Sequence, residues 1–132
     1  MPQENVEVAR RGLEAWSSGD LDAALALVHP EAEFRTSGLF PGVEAVYQGH
    51  DGYKRWWNDF RGMWEEIELV PERLLDHGDR VLVFGRFKAR GREGITVKRE
   101  LGVIFMIRDG LATRIETYPS GDQALKAVGL RE

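Results

Sequence analysis

Cysteine is absent from the 132 residues, which excludes disulfides, thiolate metal sites and a cysteine nucleophile, and suits the reducing cytoplasm. Long apolar runs are missing too. The longest, Leu101 to Ile107 with Gly102 inside it, is too short to cross a bilayer as a helix. Met1-Pro2-Gln3-Glu4 shows no basic segment followed by an apolar one, so neither a signal peptide nor membrane association is expected. Positive charge is not in excess: 18 Lys and Arg stand against 22 Asp and Glu, a net charge of −4, which argues against a general nucleic-acid binder. Histidine is scarce. His29, His50 and His77 each sit beside Pro or Gly, with no pair at ligand spacing on one element, so no metal site is expected. No phosphate loop, dinucleotide fingerprint or nucleophile elbow occurs. Repeats, low-complexity tracts and linkers are also missing, and the length is that of one domain, residues 1–132.

What is present begins with helical spacing. Val6, Ala9, Leu13 and Trp16 mark one buried stripe of a first helix, stopped by Ser17-Ser18-Gly19. Asp20 is suited to cap a second helix, whose stripe of Leu21, Ala24, Leu25 and Val28 ends at His29-Pro30 because proline restricts the residue before it. Ala32 to Arg35, with Phe34, reads as a short extended piece. Thr36 to Gly52 holds four Gly and a Pro and reads as a long loop of the kind that forms lids or pocket mouths. Asp51 is expected to cap a third helix. Tyr53, Trp56, Trp57, Phe60 and Trp64 recur along it as one aromatic stripe.

Beyond Trp64 the period becomes that of strands. Glu68 to Leu75 is a strand whose Pro71 predicts an edge position or a bulge. After the turn at His77-Gly78-Asp79 come strands at Val81 to Ala89, Ile95 to Ile107 and Leu111 to Tyr118. Gly91 to Gly94 and the tight Asp109-Gly110 turn join them. Gly121-Asp122 opens a tail helix with Ala124, Leu125 and Val128, closed by Gly129. Helices followed by antiparallel strands make an α+β domain.

Several of these features together carry a resemblance. They are Ala15-Trp16-Ser17-Ser18-Gly19-Asp20-Leu21, then Tyr47-Gln48-Gly49-His50-Asp51-Gly52 before an aromatic helix, Arg90-Gly91-Arg92-Glu93-Gly94, Arg108-Asp109-Gly110, and Tyr118 leading to Ala124-Leu125 and Gly129-Leu130. In this order the chain resembles the SnoaL-like proteins of the nuclear transport factor 2-like superfamily over nearly its whole length. The resemblance implies helices packed on a strongly curved antiparallel sheet that forms a cone with a pocket. It also implies work without a metal or other cofactor. Members include ketosteroid isomerases, polyketide cyclases and limonene epoxide hydrolase, along with proteins that only bind or assemble, so the fold alone does not select a function.

The isomerases place their base after the strand following the second helix, which here falls near Arg35-Thr36-Ser37 and holds no carboxylate. Many SnoaL-like proteins carry an acid after the last strand, near Ser120 here, again uncharged. The remaining carboxylates on central strands are Glu100, on one face with Gly102, Ile104 and Met106, and Glu116, on one face with Arg114 and Tyr118. In an apolar cone either would serve as acid or base, with Arg86 holding one ionised or orienting a substrate oxygen. On a solvated face the same groups are simply cross-strand ion pairs. Trp16, Phe34, Tyr53, Trp56, Trp57, Phe60 and Tyr118 are candidate walls for a ring-shaped ligand, or else core; His50 is a candidate at the rim. Arg86, Lys88, Arg90, Arg92, Lys98 and Arg99 crowd one hairpin, either as an anion site or as a solvated sheet end.

The expected function is therefore binding of a small hydrophobic molecule in the cone, with cyclase, isomerase or hydrolase chemistry at Glu100 or Glu116. The alternative is a non-catalytic binding or dimerisation module. An enzyme predicts a cavity of roughly 300 Å³ or more with converging polar groups. Finally, Val81 to Phe84 and Val103 to Ile107 are apolar on both faces; three helices cover only one, and no further element remains except the short tail helix. A homodimer through the other face is the expected solution, centred on Val81 to Phe87 and Val103 to Ile107.

Overall fold

The computed structural model describes residues 2–36 and 43–129. Among these, the elements run α1 (Pro2–Ser18), α2 (Leu21–Leu25), β1 (Val28–Arg35), β2 (Val46–Gln48), α3 (Gly49–Arg61), β3 (Trp64–His77), β4 (Arg80–Gly91), β5 (Thr96–Arg108), β6 (Leu111–Tyr118) and α4 (Gly121–Ala127). One curved, unclosed six-stranded sheet, in the order β2-β1-β6-β5-β4-β3, carries the helices, giving the expected α+β cone. Its pairings are antiparallel except β1 with β6, which is parallel.

Local chemistry sets most of these boundaries. Ala9, Leu13 and Trp16 are buried along α1, and Gly19 leaves the helix at φ +79°. Asp20 accepts a hydrogen bond from the Ala23 N–H at 3.0 Å, capping α2. Asp109 and Gly110 both take positive φ, 54° and 79°, the backbone of a type I′ hairpin turn. Pro71 lies on the edge strand β3 beside a register shift between Pro71 and Arg73.

Three expectations are corrected by long-range pairing. The second helix stops at Leu25 instead of reaching Val28, because Val28 pairs with Ala112 of β6 and the Ala112 N–H donates to the Leu27 carbonyl at 2.8 Å. Within the expected loop, Val46–Gln48 form β2 against β1, while residues 37–42 of that loop lie outside the described residues. The third helix begins at Gly49, so Asp51 sits inside its first turn rather than capping it, and it ends at Arg61, which moves Trp64 onto β3.

Strand register sorts the two sheet faces. Val83, Phe87, Leu101, Val103, Phe105 and Ile115 point toward α1 and α3 and belong to the main core. Leu82, Ile104, Glu116 and their neighbours point to the outer face. There α4 lies over β4 and β5, and Ala124 and Leu125 bury Leu82 and Ile104 to 0% and 1% exposure. The approach is close enough to require glycine at two points. A Cβ on Gly102 would stand 2.3 Å from the Ser120 carbonyl oxygen, and one on Gly121 would stand 2.2 Å from the Phe84 ring. The cover that the sequence assigned to a second copy is thus supplied, over the centre of β4 and β5, by the tail helix of the same chain.

Candidate functional site

Between the helices and the inner face of the sheet lies an apolar cavity of about 80 Å³. That is several times the roughly 10–15 Å³ one water needs, and well below the roughly 300 Å³ expected of an enzyme pocket for a drug-sized ligand. Its wall comes from α1 (Val8, Gly12, Leu13, Trp16), from Phe34 and Thr36 on and after β1, from α3 (Tyr53, Trp56, Phe60) and from the inner face of β3 to β6. The α3 aromatics reach it because positions 53, 56 and 60 fall on one helical stripe. They stack as a continuous layer: Trp56 lies 4.2 Å from Phe34, 5.9 Å from Trp16 and 5.9 Å from Phe60 between ring centroids.

Polar groups in this wall are few and uncharged. Thr36 Oγ1 donates to the Glu44 carbonyl at 2.6 Å and Thr117 Oγ1 to the Arg35 carbonyl at 3.3 Å. Tyr53 is 6% exposed, and burial alone pushes its hydroxyl well above the ordinary tyrosine value. The Trp16 indole N–H is buried without an acceptor, as is that of Trp64. Among the described residues no carboxylate, lysine, arginine or histidine lines the cavity.

The expected catalytic set therefore stands elsewhere. Glu100 pairs in register with Arg86 on the outer face, where both are exposed and Arg86 bonds Glu72 at 2.9 Å. Glu116 lies on the same face opposite Ile104. It accepts from the Tyr118 hydroxyl at 2.9 Å and pairs with the Arg114 Nε at 2.8 Å, although that N–H is not directed at an acceptor. Arg114 also faces Glu33, whose carboxyl is held below its usual range mainly by its hydrogen bond from Arg35. Burial and this bond to Glu116 raise the Tyr118 hydroxyl. These residues form a polar network behind the sheet. Alternation along each strand makes it impossible for them to enter the cone while Leu101, Val103 and Ile115 do.

Of the expected ligand contacts, Trp16, Phe34, Tyr53, Trp56 and Phe60 line the cavity; Trp57, His50 and Tyr118 do not. Trp57 is buried beside Tyr53 and under the Arg61 guanidinium, 5.3 Å from its ring. His50 Nε2 lies 2.7 Å from the Val28 carbonyl, tying α3 to β1. Phe87 and Phe105 line the wall without having been singled out. Their strand parity is legible in sequence, but with apolar residues on both faces it does not reveal which parity faces inward. The basic hairpin is a solvated sheet end: Arg90 bonds Glu66 at 2.9 Å, and Lys88, Lys98 and Arg99 are exposed. Among the described residues no cluster of three metal-ligating side chains occurs, and no helix is long and apolar enough to cross a membrane.

Residues 9–115 match the family model described as a SnoaL-like domain. Among curated proteins none matches the chain significantly. Solved structures match over most of it. TerC, co-crystallised with polyporic acid, is 24% identical, with 96% of this chain and 98% of that one covered at a TM-score of 0.80. A nuclear transport factor 2-like protein of unknown function from Burkholderia pseudomallei is 21% identical over 93% and 95%, with a TM-score of 0.81. A candidate polyketide cyclase from Sinorhizobium meliloti is 26% identical over 85% and 94%, with a TM-score of 0.71.

Proposed function

Because the chain belongs to the SnoaL-like domain family, we propose that it binds a small apolar molecule in the aromatic cavity between α1, α3 and the inner sheet face. The observation that carries this reading is a wall built from stacked aromatic rings, without one charged side chain among the described residues. Such a wall gains from removing ring surface from water, and it offers nothing to an ion. It also favours binding over the acid–base chemistry expected of Glu100 and Glu116, since those carboxylates lie behind the sheet. TerC's co-crystallisation with polyporic acid is in keeping with a ring-containing ligand. A thermal-shift screen of aromatic polyketides, terpenoids and single-ring compounds tests it. A true ligand at 100 times its Kd adds about 2.7 kcal/mol of stability. Absence of any shift across single-ring and larger compounds would refute the proposal.

A homodimer remains a second reading, on a different observation from the one that suggested it. Beyond α4 the outer face exposes Lys88 directly opposite Lys98, a like-charge pair that disfavours the sheet. Exposed Glu68 and Glu100 flank it, with Val70 44% exposed beside them. A second copy across a two-fold axis sets each charge against its opposite. Sedimentation at low and high salt tests this: a salt-weakened dimer supports it, and a 15 kDa monomer at low salt and micromolar concentration refutes it.

A further inference from the structure

Strand parity divides the basic residues of the β4–β5 hairpin into two sets. Arg86, Lys88 and Arg90 stand in register with Glu100, Glu68 and Glu66 on the outer face, and Lys98 shares that face. Arg99 does not join them. It is in register with Phe87, which pairs in turn with Leu69, so these three share the inner face of the sheet. Its neighbours of the same parity on β5 are Val97, packed against the main core, and Leu101, a member of it. Phe87, Leu69 and Leu101 all line the cavity. Arg99 therefore adjoins the cavity wall both across the strand pair and along its own strand, yet it is exposed. Among the described residues it is the one charged side chain at an inward position of β4 or β5.

This placement suits a ligand with two unlike ends. Successive inward residues of a strand stand roughly 7 Å apart, so a group on a short tether from a ring beside Leu101 comes within reach of Arg99. An anionic end left at that exposed position keeps much of its hydration and meets a guanidinium. Carried into the wall, the same charge would lose its water with no cation inside to offset the loss. Glu66, Glu68 and Glu100 face away, so this part of the inner face is locally cationic on a chain whose net charge is −4.

We infer that the ligand is an amphiphilic anion: an apolar ring held in the cavity, joined by a short tether to a carboxylate-type group that Arg99 meets at the rim. This rests on the proposal that the cavity binds an apolar molecule, and adds that molecule's charge, its layout and the residue that selects it. Three probes share one ring and one tether length and differ in the end group: 3-phenylpropanoate, 3-phenylpropanamide and propylbenzene. Each is titrated by NMR at low salt against the intact chain, Arg99→Gln and Lys98→Gln. The last variant removes the same charge one position away, on the opposite face.

The carboxylate is expected to bind about fourfold more tightly than the amide, against the chain's net negative charge. Arg99→Gln should abolish that advantage while the amide's affinity holds, and Lys98→Gln should preserve it. Should Arg99→Gln fail to fold, Arg99→Met reads the same ratio. Carboxylate binding no tighter than amide binding, a ratio unchanged in the folded Arg99 variant, or an equal loss in Lys98→Gln overturns the inference and leaves the cavity a binding site. Failure of all three probes, propylbenzene included, overturns the binding proposal itself.

Discussion

Replacing Gly102 by alanine adds one methyl group at the place where α4 meets the sheet. That methyl would stand 2.3 Å from the Ser120 carbonyl oxygen, 2.8 Å from the Ser120 carbonyl carbon and 2.9 Å from the Ala124 Cβ. Two of these are backbone atoms at the cap of α4, whose Ser120 side chain accepts from the Gln123 N–H at 3.2 Å, so no flexible side chain can move aside. The helix must lift. A lift that admits water exposes Leu82, Ile104 and Leu125, now at 0%, 1% and 5% exposure, each worth about 1.5–3 kcal/mol when fully buried. Partial relaxation lowers the cost, and overpacked cores lose about 1–3 kcal/mol. We expect about 3 kcal/mol by urea denaturation. Hydrogen exchange should accelerate first in residues 121–127. Emission from Trp16, Trp56 and Trp57 should change little, because they lie across the sheet from α4. Gly12→Ala is the counterpart. Its Cβ meets only the Phe105 ring, at an ordinary 3.8 Å, inside an α-helix where alanine is favoured by about 1 kcal/mol. Gly102→Ala losing less than about 0.5 kcal/mol would refute the close packing of α4 on β5 and return the outer face to some other cover.

Three further outcomes follow from the same geometry. Trp16→Ala should cost about 3–5 kcal/mol; a loss under about 1 kcal/mol in chemical denaturation would contradict its place between Trp56 and Phe60. Val-Val in place of Asp109-Gly110 should lower the melting temperature, since β-branched residues resist the positive φ both positions adopt; an unchanged melting curve would mean the β5–β6 turn tolerates another backbone. Tyr47, Tyr53 and Tyr118 are all raised above 10.0, mainly by burial, so native tyrosines keep protons that the unfolded chain has lost. Stability is then intact below about pH 10 and falls as pH climbs from there toward the raised native values. Coincident tyrosinate titrations of native and denatured protein would contradict this.

A charge introduced at Ile104 would not probe a surface between copies, because that side chain is buried under α4; it would dislodge the tail helix.

How much of this was legible in the sequence depends on the range of the interaction. The α1 stripe, the Asp20 cap, the Asp109-Gly110 turn, the bulge at Pro71 and the β6 boundaries are written in residues close together in the chain, through helical period, side-chain capping and backbone preference. The parity of each strand was equally plain: Glu100 does share a face with Ile104, and Glu116 with Tyr118. The aromatic face of α3 was visible as Tyr53, Trp56, Trp57 and Phe60. The end of α2, by contrast, depends on Ala112, some 84 positions beyond Val28 (112 − 28). The existence of β2 depends in the same way on β1.

The faces of the sheet show the division most clearly. By itself the sequence determined that β4 and β5 alternate, that both sides of their centres are apolar, and which residues share a side. Which side meets α1 and α3 was decided only by tertiary packing, because two apolar faces give a helix no local preference. That one choice sent Val103 and Phe105 into the cavity and Glu100, Glu116 and Arg86 behind the sheet. It also left the other apolar strip to α4, admitted there because Gly102 and Gly121 have no side chains to hold it off.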